Sequence, residues 1–137
     1  MHCDCRLRVR YAETDQMGVA YHANHLVWFE VGRTEYCRQM GFTYEAMERE
    51  ADSYMVVVEA FCRYRKPLRY DQEFIVRTRV GELKRRSMTF LYQILDEKGR
   101  TLLAEGETRH IVTDRKGRPR PFPQEYKHYL EGSVEAP

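Results

Sequence analysis

The sequence predicts an α+β domain in which an antiparallel sheet packs over one mostly buried helix, and three observations carry that expectation. Between Asn24 and Met40, apolar residues recur at spacings of three and four, which is the period of a helix face. A strand-like alternation precedes this stretch, and four runs of alternating or β-branched character follow it. The order strand, long helix, then strands in succession belongs to the α+β class.

Taken in order, the first strand is expected at Cys5–Tyr11, where Cys5, Leu7, Val9 and Tyr11 alternate with Arg6, Arg8 and Arg10. A polar loop follows, Thr14-Asp15-Gln16-Met17-Gly18, in which Asp15 and Gly18 suit a turn. Along the helix, Leu26, Phe29, Arg33, Cys37 and Met40 form the stripe. Trp28, Val31 and Tyr36 widen the apolar surface until it runs nearly all round, which argues for burial. Asn24 is suited to cap the helix by accepting a backbone N–H, and Gly41 to end it in a left-handed turn. Gly32 inside a helix costs roughly 1 kcal/mol relative to Ala, so a close approach of the backbone to the sheet is the expected compensation.

A short polar helix is expected near Tyr44–Glu50, then strands at Tyr54–Tyr64, Phe74–Leu83, Met88–Leu95 and Leu102–Thr113. Lys66-Pro67 through Asp71, Lys84-Arg85-Arg86-Ser87 and Asp96-Glu97-Lys98-Gly99 connect them, the last with a Gly suited to a hairpin. Beyond Asp114 to Gly117, the prolines of Arg-Pro-Arg-Pro-Phe-Pro exclude a central strand and favour an extended cover. A last short helix is expected at Gln124–Leu130. With no internal repeat, low-complexity tract or linker, residues 1–137 read as one domain.

A domain of 137 residues buries roughly two-thirds of the surface its unfolded chain exposes, so it needs no staples. Charged residues make up 32% and hydrophobic ones 42%, a globular rather than a disordered composition. Lys plus Arg total 23 against 21 for Asp plus Glu, a net charge of +2, so the totals point to neither nucleic acid nor a membrane, and any anion site must be local. Cys3, Cys5, Cys37 and Cys62 include no paired C-x-x-C units and are read as reduced thiols. No basic start leads into an apolar stretch, and no apolar run is long enough to span a bilayer. The expected setting is the cytoplasm, without stable membrane insertion.

The segment from Glu13 to His25 holds the densest set of functional side chains and lies directly before a helix N-terminus. Unpaired N–H groups and the dipole there can stabilise an oxyanion developing on a carbonyl oxygen. Asp15 could fold back towards such a carbonyl as nucleophile or as general base for water, or it could be a turn or capping residue. His22 and His25 could share a helix face, but no third metal ligand is evident, so a hydrogen-bonded structural role is the reading and no metal is assigned. His2, Cys3 and Cys5 sit at a chain terminus and are likewise read as structural. Lys84-Arg85-Arg86 concentrates three cations at one turn, suited to phosphates, although such a cluster is also what a solvated turn looks like. Arg63, Arg65 and Lys66 read the same way.

Thr14-Asp15-x-x-Gly18-x-x-x-His22-x-Asn24, followed by Leu26-x-x-Phe29-Glu30-x-x-Arg33-x-Glu35, resembles the signature of the 4-hydroxybenzoyl-CoA thioesterase family, in particular its small bacterial acyl-CoA thioesterase branch associated with the Tol-Pal gene cluster. The likeness continues through Tyr64-x-Lys66-Pro67-Leu68-Arg69-Tyr70-Asp71 and Arg85-Arg86-Ser87 to Gly106-x-Thr108-x-His110. It implies the hotdog fold, a five-stranded antiparallel sheet wrapped around one long central helix. It also implies an obligate dimer joined sheet edge to sheet edge, often doubled into a homotetramer, with active sites at the dimer interface and no cofactor. In such enzymes the carboxylate matching Asp15 attacks the thioester carbonyl or activates water, while the backbone N–H matching His22 polarises that carbonyl. The resemblance makes Lys84, Arg85, Arg86 and Ser87 candidates for holding the CoA phosphates. Where the branch pattern has Tyr, this chain has His25, so the acyl pocket is expected to differ.

The function expected is hydrolysis of acyl-CoA, or of acyl carrier protein thioesters, to a free acid and a thiol. Two alternatives stand beside it. A hotdog dehydratase would pair a His with a carboxylate on the central helix, whereas the Thr14-Asp15-x-x-Gly18 loop favours hydrolysis. A non-catalytic acyl-CoA or lipid-binding scaffold would use Asp15 merely as a cap.

Overall fold

The computed structural model describes residues 1–132. The opening alternation forms β1 (Cys3–Arg8), which starts earlier and stops sooner than the expected Cys5–Tyr11. The partner strand decides this. β1 pairs with β3 (Glu73–Leu83) from Cys3 opposite Thr78 to Arg8 opposite Glu73. Val9 then bonds instead to Gln72 and Asp71 in the loop before β3, and Tyr11–Glu13 tightens into a single 3₁₀ turn.

The long helix α1 spans Asn24–Met40 as expected. Its buried side is His25, Trp28, Phe29, Gly32, Tyr36 and Cys37. Leu26 and Val27 are 41% and 49% exposed, so the burial of this apolar helix is one-sided, because the sheet of one chain covers only one side of it. Asn24 is not the cap: Ala23 holds that position without a side-chain bond. The Asn24 amide lies just inside the first turn and donates to the Glu13 carbonyl at 2.8 Å. Gly41 ends the helix at φ 114°, where a residue with a Cβ would be strained. A Cβ on Gly32 would lie 2.6 Å from Thr78 Oγ1 and 2.7 Å from Val76 Cγ1, so the glycine allows the close approach of helix to sheet that offsets its propensity cost.

α2 (Tyr44–Ala51) follows, with Thr43 Oγ1 accepting from Ala46 N. Then come β2 (Tyr54–Tyr64), β3, β4 (Ser87–Asp96) and β5 (Leu102–Thr113). The five strands lie in the order β1-β3-β4-β5-β2, antiparallel throughout. α1 crosses the inner face, where Phe29 stacks on Tyr92 at 4.3 Å, Trp28 meets Phe74 at 4.5 Å and Tyr36 meets Phe90 at 5.9 Å. Burial of side chains this size stabilises by about 1.5–3 kcal/mol each. The proline-rich stretch runs extended along β5, with Arg120 N bonded to Val112 O and Phe122 buried, and leads into α3 (Gln124–Glu131). Among the described residues, no helix is long and apolar enough to cross a membrane.

Candidate active site

The polar loop before α1 closes on itself as a small hairpin. Tyr21 N donates to Glu13 O at 2.8 Å, Thr14 bridges Ala20, Asp15 N donates to Val19 O at 2.9 Å, and Gly18 N donates to Asp15 O at 3.0 Å. Asp15 therefore sits at the bend. Its Oδ1 accepts Met17 N at 2.9 Å and Val19 N at 3.4 Å, the local turn bonding of an Asp. Oδ2 has no hydrogen-bond partner among the described residues. One oxygen thus shapes the loop while the other stays available.

The chain enters α1 through His22 and Ala23, whose N–H groups have no acceptor among the described residues, as at most helix starts. The His22 carbonyl, in contrast, is held twice, by Tyr64 Oη–H at 2.7 Å and by His25 Nδ1 at 3.1 Å. Since a carbonyl only accepts, Nδ1 carries the proton. Burial pushes His25 down to about 4, so at neutral pH it is an uncharged imidazole with that tautomer. Desolvation pushes Tyr64 up to about 12, which keeps its hydroxyl a donor. The His22 side chain is exposed and rests beside Tyr21 and Tyr64 with ring centroids 4.4 Å and 6.3 Å away. A hollow of about 250 Å³ opens here, lined by His22, His25, Tyr64, Arg65, Lys66 and Leu68 among others.

The hairpin is tied to the sheet by Ala20 N donating to Leu68 O and a bridge between Val19 and Arg69, in the connection that leads into the start of β3. The Lys84-Arg85-Arg86 turn lies at the far end of β3. Eleven residues of strand separate the two, on the order of 35 Å at about 3.3 Å per residue. One chain therefore brings Asp15 and His22 to the same end and leaves the basic turn at the other. Within that turn, Lys84 pairs with Glu82 at 3.6 Å. The Arg85 and Arg86 guanidiniums are exposed and have no partner among the described residues. Ser87 is the first residue of β4 and accepts Lys84 N at its carbonyl.

Glu13, Trp28 and Tyr64 build this site, and none of them was assigned a site role in the sequence. Glu13 is only 5% exposed, and its carboxylate accepts Arg10 N at 2.8 Å and Trp28 Nε1 at 2.9 Å. Tyr64 reaches across from the end of β2. The signals for them were Glu13's place beside Thr14-Asp15, the single Trp in the chain and Tyr64's place at the head of the Tyr64-x-Lys66-Pro67-Leu68 motif.

The chain is similar to known proteins. The family described as the thioesterase-like superfamily matches residues 9–130. The Bacillus subtilis protein YneP is 39% identical over 110 residues, covering 80% of this chain and 78% of YneP. The acyl-CoA thioester hydrolase YbgC of Escherichia coli O157:H7 is 32% identical over 119 residues, 86% of this chain and 87% of YbgC. The crystal structure of the Thermus thermophilus protein TT1821 superposes with a TM-score of 0.92 at 34% identity, covering 99% of this chain and 100% of that one. With the five-stranded sheet laid over α1 and the Asp15 hairpin at the helix start, the chain belongs to the thioesterase-like superfamily and has its hotdog fold.

Proposed function

We propose that this chain hydrolyses acyl-CoA thioesters to a free carboxylic acid and CoA, with Asp15 as its catalytic residue. The observation that supports this most is the pairing of a carboxylate oxygen without a partner with unpaired N–H groups at a helix start, held in one hairpin. The name of YbgC as an acyl-CoA thioester hydrolase points to the same chemistry. In the general-base form, Asp15 takes a proton from water as its oxygen bonds to the thioester carbonyl carbon. The carbonyl π electrons move onto oxygen, and the His22 N–H receives that oxyanion. Collapse breaks the C–S bond, the thiolate of CoA leaves, and the proton on Asp15 passes to it. In the nucleophilic form, Asp15 itself bonds to the carbonyl carbon, the C–S bond breaks as the thiolate of CoA leaves, and water then cleaves the mixed anhydride, returning the Asp15 carboxylate and releasing the acid, with the remaining proton passing to the thiolate.

The separation of Asp15 from the basic turn supports an active site shared by two chains. β2 is an edge strand, and Val56, Val57, Val58, Phe61 and Tyr64 along it are 40–48% exposed, a liability that proteins normally cover. Two copies joined at β2 about a two-fold axis run antiparallel, so the Tyr54 end of one β2 meets the Tyr64 end of the other. The Lys84–Ser87 turn lies at the Tyr54 end, because Ser87 pairs with Ile111 and Ile111 with Val56. The partner's turn then lies towards this chain's Asp15, where Arg85, Arg86 and Ser87 would hold CoA phosphates.

Thiol release from a panel of acyl-CoAs differing in chain length and aryl character tests the reading. Wild-type protein should turn over at least one class. Asp15→Asn should lower kcat by on the order of a hundredfold or more with the fold intact. No turnover across the panel would favour a binding scaffold, and near wild-type turnover of a folded Asp15→Asn protein would remove Asp15 from the mechanism.

A further inference from the structure

We infer that Glu13 is a positioning residue, one that fixes where the Asp15 carboxylate sits relative to the N–H groups at the start of α1; this rests on the reading that Asp15 acts in hydrolysis. The carboxylate and carbonyl of Glu13 carry five close contacts. Its carboxylate accepts Arg10 N at 2.8 Å and Trp28 Nε1 at 2.9 Å and faces the Arg10 guanidinium at 3.5 Å. Its carbonyl accepts Tyr21 N and the Asn24 amide, both at 2.8 Å. Trp28 and Asn24 belong to α1, Tyr21 to the return arm of the hairpin, and Asp15 lies two residues further along the outgoing arm. The same residue therefore ties both arms of the Asp15 hairpin to the helix.

Glu13 is 5% exposed and Trp28 is 3% exposed. A buried carboxylate is costly unless its oxygens are satisfied, and each Glu13 oxygen has an N–H donor. Each Glu13 oxygen is committed to an N–H donor and the residue is buried, whereas Asp15 Oδ2 has no partner among the described residues; the oxygen free to meet water belongs to Asp15. What its bonds control is distance. The indole pulls the hairpin onto the first two turns of α1, and the backbone bonds keep residues 13 and 21 abreast, so a shift at Glu13 carries Asp15 away from the His22 N–H. Displacement of a reacting group by about 1 Å can cost about a hundredfold in rate.

The test uses Glu13→Gln, Trp28→Phe and their double variant, each checked for fold by circular dichroism and thermal unfolding, and for oligomeric state. Each single variant should lower kcat about tenfold or more, with KM for acyl-CoA changed less than threefold, because CoA contacts are not moved. The double variant should be little worse than the poorer single, since both remove one bond. In the Asp15→Asn background, Glu13→Gln should leave the residual rate unchanged, since there is no longer a carboxylate to position. If Trp28→Phe keeps full turnover while Glu13→Gln behaves like Asp15→Asn, Glu13 is itself the acid–base group and the inference is overturned. If Glu13→Gln and Trp28→Phe fold stably and turn over at the wild-type rate, the clamp has no kinetic role and it is overturned as well. Should Asp15→Asn keep wild-type turnover, it is the reading of Asp15 that fails, whatever the Glu13 variants do. Where Glu13→Gln does not fold, Trp28→Phe decides by the same kcat and KM split, because it removes the indole N–H while keeping an aromatic ring in the core.

Discussion

His25 and His110 are 4% and 1% exposed, and burial pushes each down to about 4, with the Arg33 charge adding to the effect at His110. Both are neutral in the folded protein at pH 7. In the unfolded chain they protonate around their ordinary value of 6.5. Between pH 6.5 and about 4 the unfolded state therefore binds more protons than the folded one, and stability falls as pH falls. The slope is about 1.4 kcal/mol per pH unit for each histidine, with a ceiling of roughly 3 kcal/mol each. Hydrogen bonds from Arg77 to Asp4, and from the Arg118 N–H groups to Asp114, hold those carboxyls below their usual range, so their contribution is lost only at lower pH. Urea unfolding at pH 7, 6 and 5 should show the loss directly, and His110→Gln should flatten the dependence by about half. A midpoint that does not move between pH 7 and 5 would mean that neither ring is held neutral. At the same scale, Gly32 and Gly41 were legible because a helix that tolerates an interior Gly, or stops at one, has few physical reasons to do so. Glu13 was not, because a carboxylate beside a turn reads as solvated until Trp28 is folded over it.

Among the elements, the turn between β3 and β4 can be separated from the fold it belongs to. Its backbone is held by Phe122 N on the Arg85 carbonyl at 2.8 Å and Val112 N on the Arg86 carbonyl at 3.1 Å, and neither bond depends on a side chain. Replacing Arg85 and Arg86 with Ala should leave structure and kcat nearly unchanged and raise KM for acyl-CoA by roughly tenfold, because contacts made equally to ground and transition states are uniform binding. Added salt should weaken wild-type binding in the same direction. Steady-state kinetics on an acyl-CoA and on the matching acyl-pantetheine ester check this, since the truncated substrate lacks the CoA phosphates. Equal loss on both substrates would mean that the turn supports the loop or the fold and does not hold CoA.

At the scale of the whole molecule, the open β2 edge and the distance between its two candidate subsites set the expected assembly. Light scattering should return a dimer, or the tetramer made from two dimers, for the wild type. Val57, which is 42% exposed in one chain, should tolerate Lys in an isolated chain but not inside an apolar interface. Val57→Lys should therefore yield folded monomer without turnover. A wild-type monomer of 16.5 kDa with full activity would contradict a site shared between chains.

Local sequence pattern was enough to give the α+β class, the extent of α1, the succession of strands from β2 to β5 and the loop that carries Asp15. These follow from local period and from turn chemistry, which neighbouring residues are enough to express. That the first strand starts at Cys3 emerges only from the folded sheet, since its register is set by β3, some seventy residues away in sequence. Only there does Asn24 become a donor to the hairpin rather than a cap, and the helix buried on one side. Tertiary structure also split the expected site, with Asp15 and His22 at one end of β3 and Arg85 and Arg86 at the other. Spacing along a chain carries no information about which end of a strand a loop is folded towards; that depends on the strand order and direction of the whole sheet.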